Sequence, residues 1–207
     1  SHLNLMSRAH QPAEPMKSQD VITISYESLK SPPNSSTLTL ISQAFGSSPS
    51  SLGIIAVSDV PSFTTLRQNL LPLSYKLAHL PPDELSKITK ESAGYVVGWS
   101  HGKEKVEGDR YDTAKGSFYA NPLVDDFIAA KRRNSLTTSD CERERLEEIC
   151  ERNPQFYAAN VWPEDDVLPL ENCFKEMGQL ICNVGRLLAK HCDAYVVSRC
   201  PGYDPTK

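Results

Sequence analysis

Two short stretches carry side chains whose types and spacing could do chemistry. His191-Cys192-Asp193 sets an imidazole and a carboxylate two residues apart. With a distant histidine as third ligand, such a pair can hold iron in a facial site. Trp99-Ser100-His101-Gly102-Lys103 places an imidazole and an amine beside glycines, which let backbone come close to a ligand. Each has a plainer reading. Residues two apart stand about 200° apart around a helix, so His191 and Asp193 diverge if their segment is helical. His191 also follows Leu188 by three and precedes Tyr195 by four, which predicts a core or capping histidine. His101 and Lys103 read equally as an exposed turn. Ser100-His101 lacks a neighbouring acid and a nucleophile elbow, so a serine hydrolase has no support. Gly94, Gly98 and Gly102 recur every four residues, which matches neither a P-loop nor a dinucleotide fingerprint.

Two further stretches could bind without reacting. Phe118-Tyr119-Ala120-Asn121-Pro122 offers two aromatics and an amide to a pocket wall, or simply packs as a loop. Asn160 and Trp162 flank Val161 on an expected strand and so share one face. A buried amide there needs a hydrogen-bonding partner, from a substrate or from the protein itself. The candidate substrate-lining residues are Trp99, His101, Lys103, Tyr119, Asn160 and Trp162. No residue is assigned a catalytic or metal-binding role.

These residues need elements to position them. Val21–Tyr26 is β-branched and aromatic, which predicts a strand. Ser36 or Thr37 is expected to cap a short helix over Leu38, Ile41 and Phe45. Leu52–Ser58 is a continuous apolar run, the pattern of a strand buried on both faces. Phe63, Leu66, Leu70, Leu73 and Leu77 predict a helix that Pro72 kinks or stops. Pro81-Pro82-Asp83-Glu84 starts another. From Glu91 to Val124 there is no helical period, only glycine, aromatics and charge. Helix returns over Leu136–Asn153, with Ser139 and Glu142 as a capping box, Arg143–Glu147 as an ion pair, and Leu146, Ile149 and Cys150 inward. Last comes a helix opening near Leu168-Pro169-Leu170, with a stripe through Phe174, Met177, Ile181, Val184, Leu188 and Tyr195. It could run about 30 residues, or about 45 Å.

The bulk properties narrow the class. A chain of 207 residues with 39% hydrophobic and 23% charged residues is ordinary globular protein. A net charge of −4 provides no broad basic field, so nucleic acid is a poor partner. No run of about 18 apolar residues is present to span a membrane. The six cysteines show no CxxC spacing and read as reduced structural thiols, which places the protein in the cytoplasm or nucleus. Residues 1–20 read as a disordered tail and 21–207 as a single domain.

Several segments, in order, resemble one family. Leu52-Gly-Ile-Ile-Ala-Val-Ser-Asp-Val60 with its Leu-rich helix is similar to the N-terminal region of isopenicillin N synthase-like oxygenases dependent on 2-oxoglutarate and iron(II). Asn160-Val-Trp-Pro163 and the long helix after it resemble the Asn-x-Trp-Pro segment of that family. Gly98–Glu104 and Lys115–Pro122 look like a plant and fungal subgroup. The resemblance spans about residues 17 to 200 and implies an α/β (α+β) fold. This would be the N-terminal helix-strand portion of a double-stranded β-helix (jelly-roll) oxygenase, with one long amphipathic helix near its C-terminus. The family's His-x-Asp, later His and 2-oxoglutarate-binding Arg have no counterparts here, and His191-Cys-Asp193 falls on the helix instead. The expectation is a chain without the catalytic barrel, as a fragment, a truncated isoform or a shortened gene product. A full-length form would use Fe(II) and 2-oxoglutarate on a small organic substrate, whereas this chain would not catalyse. Two rivals stand beside it. One is a non-catalytic module that self-associates through exposed apolar surface. The other is an unrelated α/β enzyme with its chemistry in the Trp99–Pro122 loop.

Overall fold

In a computed structural model, residues 20–134, 140–164, 167 and 169–206 are described. The chain opens with β1 (Ile22–Ser25), α1 (Tyr26–Lys30), α2 (Ser35–Phe45) and β2 (Ile55–Ser58). Helices α3 (Phe63–Ala78) and α4 (Pro82–Lys87) follow, then a 3₁₀ turn at Glu91–Ala93. Four short strands come next: β3 (Gly98–His101), β4 (Lys105–Glu107), β5 (Arg110–Tyr111) and β6 (Gly116–Tyr119). Helices α5 (Phe127–Asn134), α6 (Asp140–Arg152), α7 (Pro154–Tyr157) and α8 (Leu170–Arg199) complete it. This is a mixed α/β chain with a long helix near its end and no barrel among the described residues. Its described residues form two compact units, one within 20–59 and 189–206 and the other within 60–188. Helix α8 supplies residues to both.

In the first unit β1 and β2 pair in parallel, Ile22 opposite Ile55 and Ile24 opposite Val57. The connecting helix α2 is capped by Asn34, not by Ser36 or Thr37. The Asn34 carboxamide oxygen accepts from the Ser36 and Thr37 N–H groups, and the Thr37 hydroxyl accepts from the Asn34 N–H. That reciprocal box satisfies donors the first turn would otherwise leave unpaired. Ile24, Leu29, Ile41 and Ala44 form the core, and His191 from α8 is buried with them at 1% exposure. The strand expected to be covered on both faces is not. The strand starts only at Ile55, so Leu52 and Ile54 precede it and are 47% and 53% exposed, while within the two-stranded sheet Ala56 is exposed and Ile55 and Val57 are half-buried.

In the second unit Leu73, Leu77, Ile88, Val167 and Leu170 make the core. Helix α3 runs through Pro72 without stopping. Its next two inward positions, Leu73 and Leu77, are buried, and that packing offsets the hydrogen bond proline cannot donate. The stretch without helical period is an antiparallel nest, β4 with β5 inside β3 with β6. Ser139 and the side chain of Arg143 lie outside the described residues, as do residues 1–19. On α6, Cys150 is buried, but Ile149 is exposed. Helix α8 begins at Leu170, with the Pro169 carbonyl taking the first bond from the Cys173 N–H. Its apolar stripe is interrupted at Ile181, which is 55% exposed.

Candidate binding site

Strand pairing puts Trp99 opposite Phe118, and the backbone of β3 is pinned by Ile88, whose carbonyl accepts from the Trp99 N–H. Gly98 makes that possible. Its φ is +76°, and a Cβ there would stand 2.0 Å from the Ile88 carbonyl oxygen. The close backbone approach expected of these glycines is therefore made to the protein's own chain.

Asp125 ties the second layer together. Its Oδ1 accepts from Asn160 Nδ2 at 2.9 Å and from Trp162 Nε1 at 3.0 Å, while Oδ2 takes the Lys175 ammonium. Lys175 also pairs with Glu171 one turn earlier on α8. Burial works against the charged form of Asp125, but Lys175, Asn160 and Trp162 outweigh it and hold the carboxyl below its ordinary value. Burial likewise opposes the Lys175 charge, and the two carboxylates overcome it, so its ammonium is held above the usual lysine range. Asn160 has no capacity left for a ligand on its N–H side. Its Nδ2 donates to the Asn121 carbonyl and to Asp125, and its Oδ1 accepts from the Asn121 N–H. The partner that this amide needs is the protein itself.

Phe118, Trp162 and Phe174 form a cluster of three rings with centroids 5.6 to 6.1 Å apart. Beside it opens a recess of about 490 Å³ walled by Phe118–Val124, the Gln155–Ala158 segment, Val96 and one face of α8. Phe174 and Cys182 line it from that face. Between them, at Gly178, the helix backbone meets Pro122, and a Cβ would sit 2.3 Å from the proline Cβ. None of the described lining residues is charged. With no carboxylate, imidazole or amine in its described wall, the recess is suited to holding an apolar molecule, and Cys182 is its one thiol.

The six residues singled out from sequence divide into three groups. Tyr119 and Asn160 line the recess. Trp162 stands behind it in the ring cluster, and Trp99 packs against the core and near His101. His101 and Lys103 lie away from it: His101 Nε2 donates to the Thr113 carbonyl at 2.9 Å, and the Lys103 ammonium sits over the Tyr95 ring. The Tyr119 hydroxyl donates to Glu104, which also pairs with Lys115 at 2.7 Å. Asp125, Lys175, Asn121, Phe174 and Cys182 belong to the site without being among those six. The Glu171–Lys175 spacing is a local signal in the sequence; Asp125, 50 residues before Lys175, gives none.

His191 and Asp193 point apart, as helical geometry requires. His191 reaches Thr37 Oγ1 and the Leu29 carbonyl, each at 3.1 Å, and Asp193 accepts from the Tyr203 hydroxyl. Among the described residues no three His, Cys, Asp or Glu side chains converge on a point, so they do not fit an iron site. No described helix is long and apolar enough to cross a membrane. No family model matches the chain, and no curated protein and no solved structure matches it.

Proposed function

We propose that the chain is the N-terminal portion of a non-haem iron(II), 2-oxoglutarate-dependent oxygenase of the jelly-roll class, and that its own part is to wall a substrate site. The family reading rests on the ordered segments Leu52–Val60, Gly98–Glu104, Lys115–Pro122 and Asn160–Pro163. The observation that carries the binding role is the uncharged recess built by two of those segments against α8. Such volumes suit small organic molecules. The metal and the keto acid would be held elsewhere in a longer form, where iron supplies the oxidising chemistry. Titration calorimetry of Fe(II) and 2-oxoglutarate into this polypeptide is expected to give no heat of binding. Tight binding of either would overturn the division of labour. In any longer product of the same gene, a His-x-Asp pair on a strand-patterned segment is expected; a longer product without one overturns the family reading.

A second reading, a non-catalytic module that associates with itself, is favoured by one observation. Leu52 and Ile54 stand exposed beside a two-stranded parallel sheet whose outer edges carry no further strand among the described residues. Open edges and apolar surface both invite pairing.

A further inference from the structure

We infer that the recess selects an uncharged aromatic molecule and rejects its anionic analogues; this rests on the reading of the recess as a binding site. The argument starts from what lines it. Phe118, Phe127, Phe156, Tyr157 and Phe174 present ring surface, and Val96 and Leu123 fill the rim. Rings of this kind favour stacked or edge-on contact with another aromatic. Phe156 is 78% exposed, a large apolar surface at the mouth. The charged groups nearby stand outside the wall: Asp125 and Lys175 pair with each other and Glu104 with Lys115, the Lys131 ammonium lies over the Phe127 ring, and the Lys90 ammonium donates to the Ala159 carbonyl. A carboxylate or sulfonate entering would give up water and meet no cationic side chain in the described wall itself, which is unfavourable.

Polar recognition falls to neutral groups of the described wall, chiefly its amides. The Asn121 carboxamide oxygen accepts from the Leu123 and Val124 N–H groups, at 2.9 and 3.1 Å, which fixes the amide orientation. Its N–H₂ group is uncommitted among the described residues, as is the Gln155 amide. Both can donate, so an acceptor on the ligand, such as a carbonyl, ether or phenolic oxygen, adds to the ring contacts without being required for them. Shape adds a limit. Pro122 seated on Gly178 closes the wall between Phe174 and Cys182, so a ligand cannot pass between the proline and the helix there.

Two fluorescent probes built on one aromatic frame separate the outcomes, neutral N-phenyl-1-naphthylamine and its sulfonated relative 1-anilinonaphthalene-8-sulfonate. The neutral probe is expected to bind saturably and the sulfonate at least about tenfold more weakly. Leu123→Glu, at an exposed rim position, is expected to abolish neutral-probe binding, while Ile54→Glu in the other unit leaves it unchanged. Bound neutral probe should also slow N-ethylmaleimide labelling of Cys182 and leave exposed Cys200 unaffected. Equal binding of both probes, each protecting Cys182, overturns the charge selectivity but keeps the site. Failure of both, or binding indifferent to Leu123→Glu and lost in Ile54→Glu, overturns the site itself and assigns the apolar surface to self-association.

Discussion

Asp125 joins three stretches remote in sequence through one carboxylate, and its removal tests how much that joint matters. Asp125→Ala leaves the Trp162 N–H, one Asn160 N–H and the Lys175 ammonium short of a partner. The expected loss is about 1–2 kcal/mol, discounted because nearly half of the carboxylate side chain remains exposed. The sign with pH follows from the directions of shift. The folded carboxyl lies below 3.8, so its contribution is present above that value and lost as pH falls through the folded one. The folded Lys175 lies above 10.5, so its share is present below 10.5 and lost as pH rises past the folded value. Urea unfolding of wild type and Asp125→Ala should therefore differ by a constant amount between these limits and converge in acid. A second residue carries stability of a different kind. His191 is buried with both nitrogens bonded, so His191→Ala should cost about 2–4 kcal/mol through cavity and unpaired carbonyl together.

Within α8 two glycines occupy one helix and face opposite demands. Alanine favours a helix over glycine by about 1 kcal/mol. At Gly185 nothing lies within 4 Å of the place a Cβ would take, so Gly185→Ala should stabilise by up to that amount. At Gly178 the new methyl meets Pro122 at 2.3 and 2.7 Å, and overpacking of this kind costs about 1–3 kcal/mol. The clash outweighs propensity there. Gly178→Ala is expected to lower the thermal midpoint and weaken neutral-probe binding together, by lifting the Pro122 loop from the helix. Equal effects at the two glycines would show that the contact with Pro122 has no consequence. The α8 stripe also shows why periodicity alone mispositions a site. Leu170 and Met177 turn into the core as their spacing predicts, yet the recess takes only Phe174 from that stripe and adds Cys182, which lies off it.

For the molecule as a whole, the self-association proposed for the apolar surface of the first unit is tested in solution. Size-exclusion with light scattering at rising concentration should detect association, and Leu52→Asp with Ile54→Asp should diminish it. Because the contact is apolar, added salt should not dissociate it. A stable monomer at high concentration would remove the basis for the second functional reading. The cysteines bear on handling: Cys150 and Cys192 are pushed above the ordinary thiol range, mainly by burial, so exposed Cys200 is expected to react ahead of them with mild alkylating agents.

Much of the local architecture was legible because it depends on neighbours in sequence. The 30-residue extent of α8, the inward His191 and the divergence of His191 from Asp193 follow from periodicity and helical angle, and the strand at Ile22–Ser25 follows from β-branched composition, though Tyr26 opens a helix instead of ending that strand. What lies on the far side of an element is a different matter. The apolar run at Leu52–Ser58 reads the same whether two layers cover it or none, and only the structure decided that the strand starts at Ile55 and leaves Leu52 and Ile54 open. Gly94–Pro122 lacked a period because four strands of two to four residues are too short to show alternation, and their pairing is nonlocal. Asn160 and Trp162 did share a side, though no strand holds them; a carboxylate 35 residues before Asn160 does. The residue types of a binding wall were present in the sequence, but which of them meet, and which are spent on one another, depended on contacts between segments far apart in the chain.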